Sequence, residues 1–229
     1  MREISLDTET TGLNPKGGDR VVEIGCVEMI NQIATDNVFH VYINPQRDMP
    51  AGAFKVHGLS EEFLRKHDVF AKVADDFLEF IGDSPLVIHN AQFDIGFLNA
   101  ELTRLGKDPL DMARTIDTVP MARKKFPGAQ ANLDALCRRF GIDNSNRELH
   151  GALLDAELLA EVYLELTGGR QTGLVLGDEE SEMAQVEPQE MVKAQGQNKR
   201  EARVFSPSAE ELERHEAFIG ELSEPIWKG

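Results

Sequence analysis

The sequence predicts an α/β domain that lays down a small antiparallel sheet first and then adds strand–helix pairs. Three observations carry this reading. Ile4, Leu6 and Thr8 alternate with Ser5, Asp7 and Glu9, which is the period of a β-strand. Residues 21–29 and 38–43 read as two more strands, joined by connections short enough for an antiparallel meander. Beyond Pro50, helical patterns alternate with brief apolar runs at 86–89 and 115–117.

The first strand also poses a chemical problem. Its alternation puts Asp7 and Glu9 on one face, roughly 7 Å apart at about 3.3 Å rise per residue. Two carboxylates beside an apolar strand repel each other unless a cation lies between them. A hard divalent ion answers that repulsion. The plainer alternative is an exposed strand end where both groups are solvated.

Composition narrows the class. With 229 residues and 41% hydrophobic content, the chain has room for one full domain and an appendage. No apolar run has the length of a membrane span. The first residues enter a strand with no basic-then-apolar leader, so the expectation is a cytoplasmic protein. Cys26 and Cys137 lie far apart in apolar surroundings and read as reduced core residues. A net charge of −16 argues against a broad basic surface for duplex binding. It leaves room for a protein that grips only a strand end while metal ions neutralise the phosphate.

Taken in order, residues 14–18 form a turn and Asn44-Pro45 closes the meander. Residues 50–58 read as a loop, and Ser60-Glu61-Glu62 opens a short helix. A helix over Phe70–Ile81 shows Val73, Phe77, Leu78 and Ile81 on one face, and Gly82 and Pro85 stop it. The strand at 86–89 runs into Asn90 and a helix whose apolar stripe is Phe97, Leu98, Leu102 and Leu105. Asp94 falls on that stripe, where a carboxylate either caps the helix or meets a cation. Asp117, at the end of the next strand, suits a turn or cap, or a supporting place behind a reactive group. The basic run Arg123-Lys124-Lys125 suits a solvated helix face, and Asn132 a cap for the helix ending at Gly141. Ala152–Leu166 is helical throughout, with Asp155 on its apolar stripe and His150 at its entry.

Past Gly168-Gly169 the character changes. Residues 178–200 are polar and aperiodic, with Asp178, Glu179, Glu180, Glu182, Glu187 and Glu190 unmatched by Lys or Arg within 178–190. That is the composition of a flexible linker. Ser208 to Glu211 then fits a capping box, followed by a stripe of Leu212, His215, Ile219 and Leu222. With Trp227, the stripe suggests docking into a partner; the alternative is folding back onto the chain's own domain.

Asp7, Glu9, Asp94, Asp155 and His150 form an inventory for two-metal phosphodiester hydrolysis. Two divalent ions about 3.5–4 Å apart clamp the attacking and leaving oxygens, and a neutral histidine takes the water's proton. DTETTG (7–12), HNAQFD (89–94) and HGALLD (150–155) resemble, in order and spacing, the three motifs of the DEDDh exonuclease superfamily. The flanking segments and the C-terminal stretch resemble the epsilon subunits of bacterial DNA polymerase III, over about 4–176 and again over about 203–227.

The resemblance implies a ribonuclease-H-like fold, a mixed five-stranded sheet flanked by helices with a flexible C-terminal tail. It implies two divalent ions, Mg²⁺ or Mn²⁺, held by Asp7, Glu9 and Asp155 with Asp94 in support, and His150 as general base. Thr8, Thr10, Gly12, Leu13, His57, Asn90 and Phe93 match positions lining the pocket of a DNA 3′-terminal nucleotide.

For the whole chain it implies an exonuclease domain over 1–170, a clamp-binding peptide over 171–176 (Gln171, Leu174, Leu176), a linker over 177–202 and a docking segment over 203–229. Leu212, Ile219 and Trp227 would anchor that segment to the polymerase catalytic (alpha) subunit. The peptide departs from the family pattern by ending on Leu176 rather than an aromatic residue. A small third core subunit is left open. The expected activity is proofreading 3′→5′ hydrolysis that releases nucleoside 5′-monophosphates. A 3′→5′ exoribonuclease, or a mainly structural tether between polymerase and sliding clamp, are the alternatives.

Overall fold

The computed structural model describes residues 1–145, 147, 149–169 and 208–221. Contacts divide the chain into two units, Met1–Val175 and Leu176–Gly229. The first holds a five-stranded sheet in the order β3-β2-β1-β4-β5. Strands β1 (Arg2–Thr10), β2 (Val21–Ile30) and β3 (Ile33–Tyr42) form the expected antiparallel meander. Strands β4 (Leu86–Ile88) and β5 (Thr115–Asp117) add in parallel beside β1.

The β1 alternation sorts its side chains onto two packed layers. Ile4 and Leu6 join Ile24, Leu86 and Ile88 in a core closed by α3 (Phe70–Ile81) and α4 (Ala91–Arg104), through Phe77, Ile81, Phe97, Leu98 and Leu102. On the other face, Val87 and Met29 pack with Leu136 and Cys137 of α6 (Leu133–Phe140) and Leu158, Leu159 and Val162 of α7 (Ala152–Leu166). Both cysteines are free and buried, as expected. Among the described residues, no helix is long and apolar enough to cross a membrane.

Two expectations need correction. Residues 50–58, read as a loop, contain the helix α1 (Ala51–His57). Its sequence hides it: Pro50 at the N-cap makes no side-chain cap bond, and Gly52 weakens the propensity. A Gly58 in the left-handed conformation ends the helix, and His57 is its buried contact. The third strand starts at Ile33 rather than 38. Its first half is largely exposed on the sheet edge, so backbone pairing forms it rather than a burial pattern. Asn31 and Gln32, both at positive φ, supply the tight turn that sets this pairing.

The remaining helices follow their caps. Ser60 Oγ accepts from Phe63 N–H at the head of α2 (Glu61–Leu64), and Asn132 Oδ1 accepts from Ala135 N–H at the head of α6. Asp117 caps α5 (Thr118–Lys125) through Val119 N–H. It also accepts from Asn90 and Ala91 N–H, which ties the start of α4 to the end of β5. In the second unit, α8 (Ala209–Glu221) opens on the expected capping box: Ser208 N–H donates to Glu211 Oε2 at 2.8 Å, and Glu211 N–H donates to Ser208 Oγ. Leu212 is half-exposed in that unit. Gln171, Leu174, Leu176, Leu222 and Trp227, and the Ile219 side chain, lie outside the described residues.

One glycine decides where α7 sits. Gly25 of β2 faces Asp7 across the sheet, and a Cβ there would lie 2.2 Å from the Ala152 backbone carbon. The helix entry therefore rests directly on the strand. Gly25→Ala is expected to push α7 off the sheet and lose about 1–3 kcal/mol or more, as overpacking does. Urea unfolding with an unchanged midpoint would refute this.

Candidate active site

Three elements converge at the end of β1. Ser5, Asp7 and Glu9 point toward α7, where the Ser5 hydroxyl donates to the Ala156 carbonyl at 2.7 Å. That bond fixes the neighbouring Asp155, which is 3% exposed. Thr8 points the other way and meets α4: its N–H and hydroxyl both donate to Asp94 Oδ1, at 3.0 and 2.7 Å. Asp94 is thus no helix cap: from the end of the first turn of α4 its side chain is aimed at β1.

The result is a cavity of about 270 Å³ lined by Asp7, Glu9, Asp94, Asp155 and His150, together with His89, Asn132, Asp134 and Arg147. Glu9, His150 and Asp155 each offer a ligand atom, all within 4.8 Å of one another.

The electrostatics show what the cluster lacks. Burial, then repulsion from Asp94, Asp155 and Glu9, raises Asp7 well above the usual carboxylate range. Burial, then Asp155 and Glu23, pushes Glu9 up to about 8. Burial raises Asp94 to about 7 in spite of the Thr8 bonds. Asp155 behaves differently. Burial raises it, but the Arg147 hydrogen bonds and charge, with the His150 ring nearby, more than offset that and hold it low. Burial and mutual repulsion thus disfavour the charged forms of three of the carboxyls, a cost that a nearby cation would offset. A compact set of hard oxygen donors with one imidazole nitrogen fits a divalent ion.

Arg147 and His89 escaped the sequence reading. Arg147 lies in a polar stretch that reads as solvated loop, yet its side chain is 7% exposed. It donates from Nε and an Nη to the two oxygens of Asp155 at 2.5 and 2.7 Å. His89 bonds Thr118 Oγ1 through Nδ1 at 2.8 Å, and burial lowers its pKa, so it enters the cavity as a neutral ring. Its place beside Asn90 in the second motif is the one signal that could have found it.

A second cavity, about 440 Å³, adjoins the first through Thr8, Glu9 and Phe93. Thr10, Gly12, Leu13, His57 and Val56 line it. Thr10 Oγ1 donates to the Gly12 carbonyl at 2.6 Å, holding the turn that leaves Leu13 84% exposed at the rim. His57 Nδ1 accepts from Leu59 N–H, so Nε2 bears the proton. That buried N–H faces the Thr10 backbone without a well-formed bond. Phe93 packs against Phe97 at 4.9 Å. Asn90 stands apart from this cavity, exposed at the head of α4 with φ +74°.

The comparisons with known proteins bear on this arrangement. A family model described as an exonuclease matches residues 4–163. The DNA polymerase III subunit epsilon of Rickettsia felis is 53% identical over 97% of this chain and 97% of that protein. The chain belongs to the exonuclease family, in its DNA polymerase III epsilon-subunit branch. The Escherichia coli K12 epsilon subunit is 46% identical over 95% of the chain and 92% of its own length. Among solved structures, exonuclease X in complex with 5′-overhanging duplex DNA is 25% identical, covering 72% of this chain and 90% of that one with a TM-score of 0.57. The nuclease domain of 3′hExo, a DEDDh family member bound to rAMP, covers the same shares with 18% identity and a TM-score of 0.62, a likeness of fold.

The raised carboxyls of this exonuclease domain give stability a pH dependence with a definite sign. A carboxyl whose pKa rises on folding binds more protons folded than unfolded, so it destabilises as pH rises. For Glu9 the window runs from its ordinary 4.5 to about 8; Asp155, shifted the other way, opposes it at lower pH. In chelator, unfolding free energy is expected to fall between pH 6 and 8, by about 1 kcal/mol or more, and to recover on adding Mg²⁺. Denaturant titrations at both pH values, with and without the ion, check this; a flat profile would count against the cluster's electrostatics.

Proposed function

We propose that this chain is a metal-dependent 3′→5′ DNA exonuclease that proofreads for a bacterial replicative polymerase. The observation that carries the reading is the buried carboxylate cluster opening beside an apolar cleft of nucleotide size. The epsilon-subunit names of its relatives support the replicative setting. Asp7, Glu9 and Asp155 would hold two divalent ions, Mg²⁺ or Mn²⁺, with Asp94 steadied by Thr8 in support. When bound, the ions supply charge neutralisation at the scissile phosphate and acidify the attacking water.

The chain's own residues do the rest. Thr10, Gly12, His57 and Phe93 seat the last nucleotide, with the buried His57 N–H as polar handle. The exposed Leu13 wedges against the preceding base, and Asn90 stands where it meets the strand from outside the cleft. His150, half-exposed at the cavity mouth, takes the proton of the attacking water. The P–O3′ bond to the penultimate nucleotide breaks, and a nucleoside 5′-monophosphate leaves. The cleft makes few demands on base identity, which suits an enzyme that selects ends by how readily they fray.

Residues 1–170 would be the exonuclease domain, and 177–202 a linker. Gln171, Leu174 and Leu176 would engage the sliding clamp. Leu212, Ile219 and Trp227 in 203–229 would engage the polymerase alpha subunit. The setting is cytoplasmic.

Two measurements test the reading. Asp7→Ala is expected to abolish metal-dependent hydrolysis, a loss of about 10³-fold or more, while circular dichroism stays native. The wild type should remove mispaired DNA ends in preference to matched DNA and single-stranded RNA. Wild-type turnover in the variant would sink the metal assignment, and a preference for RNA would favour an exoribonuclease. Deleting residues 200–229 should leave oligonucleotide hydrolysis nearly unchanged and end co-purification with the alpha subunit; retained co-purification would refute the docking role.

A further inference from the structure

Arg147 does two things at once in the cavity. It spans both oxygens of Asp155, and an Nη–H donates to His150 Nδ1 at 2.8 Å. A guanidinium has only donors, so in this bond Nδ1 is the acceptor, with Asp155 Oδ2 lying farther from it at 3.3 Å, and a neutral imidazole has one lone pair. In this arrangement that lone pair is occupied. His150 Nε2 then carries the ring's proton, and the ring has no free site on which to accept another. A third bond, from Arg147 to Asp134 Oδ1 at 2.6 Å, anchors the guanidinium to a carboxylate outside the set proposed to hold metal. Asp134 is 44% exposed, against 4% for Asp155.

We propose that Arg147 is a latch: in the metal-free protein it takes the cation's place at Asp155 and blocks His150 as a base, and metal entry shifts it onto Asp134. This rests on the reading of Asp155 as a metal ligand and His150 as base. A guanidinium bridging both Asp155 oxygens occupies two of the carboxylate's lone pairs and sets a positive charge where a divalent ion would approach, so the two cations compete for it. Release from Asp155 and release of His150 Nδ1 are one movement, since the same planar group makes both sets of bonds. Metal binding and readiness of the base are thereby coupled through one side chain. Asp134 keeps the released cation at the cavity rim.

The test uses the full chain and reads metal binding directly. Mn²⁺ is titrated at pH 8.5 and free ion followed by electron paramagnetic resonance, for wild type and Arg147→Met, which keeps much of the side chain's length without its charge. The variant is expected to bind Mn²⁺ at least about tenfold more tightly, the scale of one charge-assisted bond relieved. Its metal-free melting temperature should fall, and Mn²⁺ should restore it. Equal or weaker binding by the variant would overturn the latch and leave Arg147 a structural bridge. Absence of Mn²⁺ binding in both proteins would overturn the metal reading itself.

A measurement on the wild type covers the case where the variant folds poorly. The Arg147 Nε–H resonance, identified by its loss in Arg147→Lys, should move when Mg²⁺ saturates the protein. An unmoved resonance would show the guanidinium still on Asp155.

Discussion

Mutual repulsion among Asp7, Glu9, Asp94 and Asp155 is the constraint around which this domain is arranged. Separate carboxylates would be solvated and harmless. Here the sheet edge, α4 and α7 press them into one cavity, where burial makes each charge expensive. The fold holds them there by ordinary means. The Ser5 hydroxyl is bonded to Ala156, the Thr8 bonds grip Asp94, Asp117 ties down the head of α4, and Gly25 lets the entry of α7 lie on β2. None of these contacts touches a substrate, yet each sets the position of a carboxylate. Apolar packing on both faces of the sheet provides the free energy that keeps the acids together.

The two cavities divide the work that the acidic composition makes difficult. A chain of net charge −16 has little long-range attraction for a nucleic-acid backbone. On the proposed function, the acidic cavity would confine neutralisation to the one phosphate being cut, and the neighbouring apolar cleft would hold base and sugar by stacking and shape. Such a division would favour a free strand end over a duplex.

Much of this could be read from sequence because the physics is local. Alternation in β1 put Asp7 and Glu9 together, helical spacing put Asp94 and Asp155 on buried stripes, and Ser60, Asn132 and Ser208 marked their helices as caps. The misses have a shared cause. Helix α1 carries a Pro at its cap and a Gly in its first turn, so local preference hides it and tertiary contact through His57 sustains it. The first half of β3 is an edge strand held by backbone pairing, which leaves no buried alternation to read. Arg147 was invisible because its partners lie on other elements, Asp155 at the head of α7 and Asp134 on α6. No periodicity links an arginine in a polar loop to a carboxylate on a helix yet to form. Gly25 did leave a trace, a glycine inside an apolar strand, which signals close approach of another backbone.

The carboxylate cluster meets its repulsion in two unequal ways. Arg147 offsets Asp155 by direct contact, while burial and mutual repulsion disfavour the charged forms of Asp7, Glu9 and Asp94. An arginine reaches one carboxylate fully and leaves the other three to one another. On the proposed reading, a divalent ion at Asp155 would compete with Arg147, and part of its intrinsic affinity would be consumed in doing so. The site would then be weaker for metal than bare carboxylates held in the same geometry, and the difference would be located in one side chain.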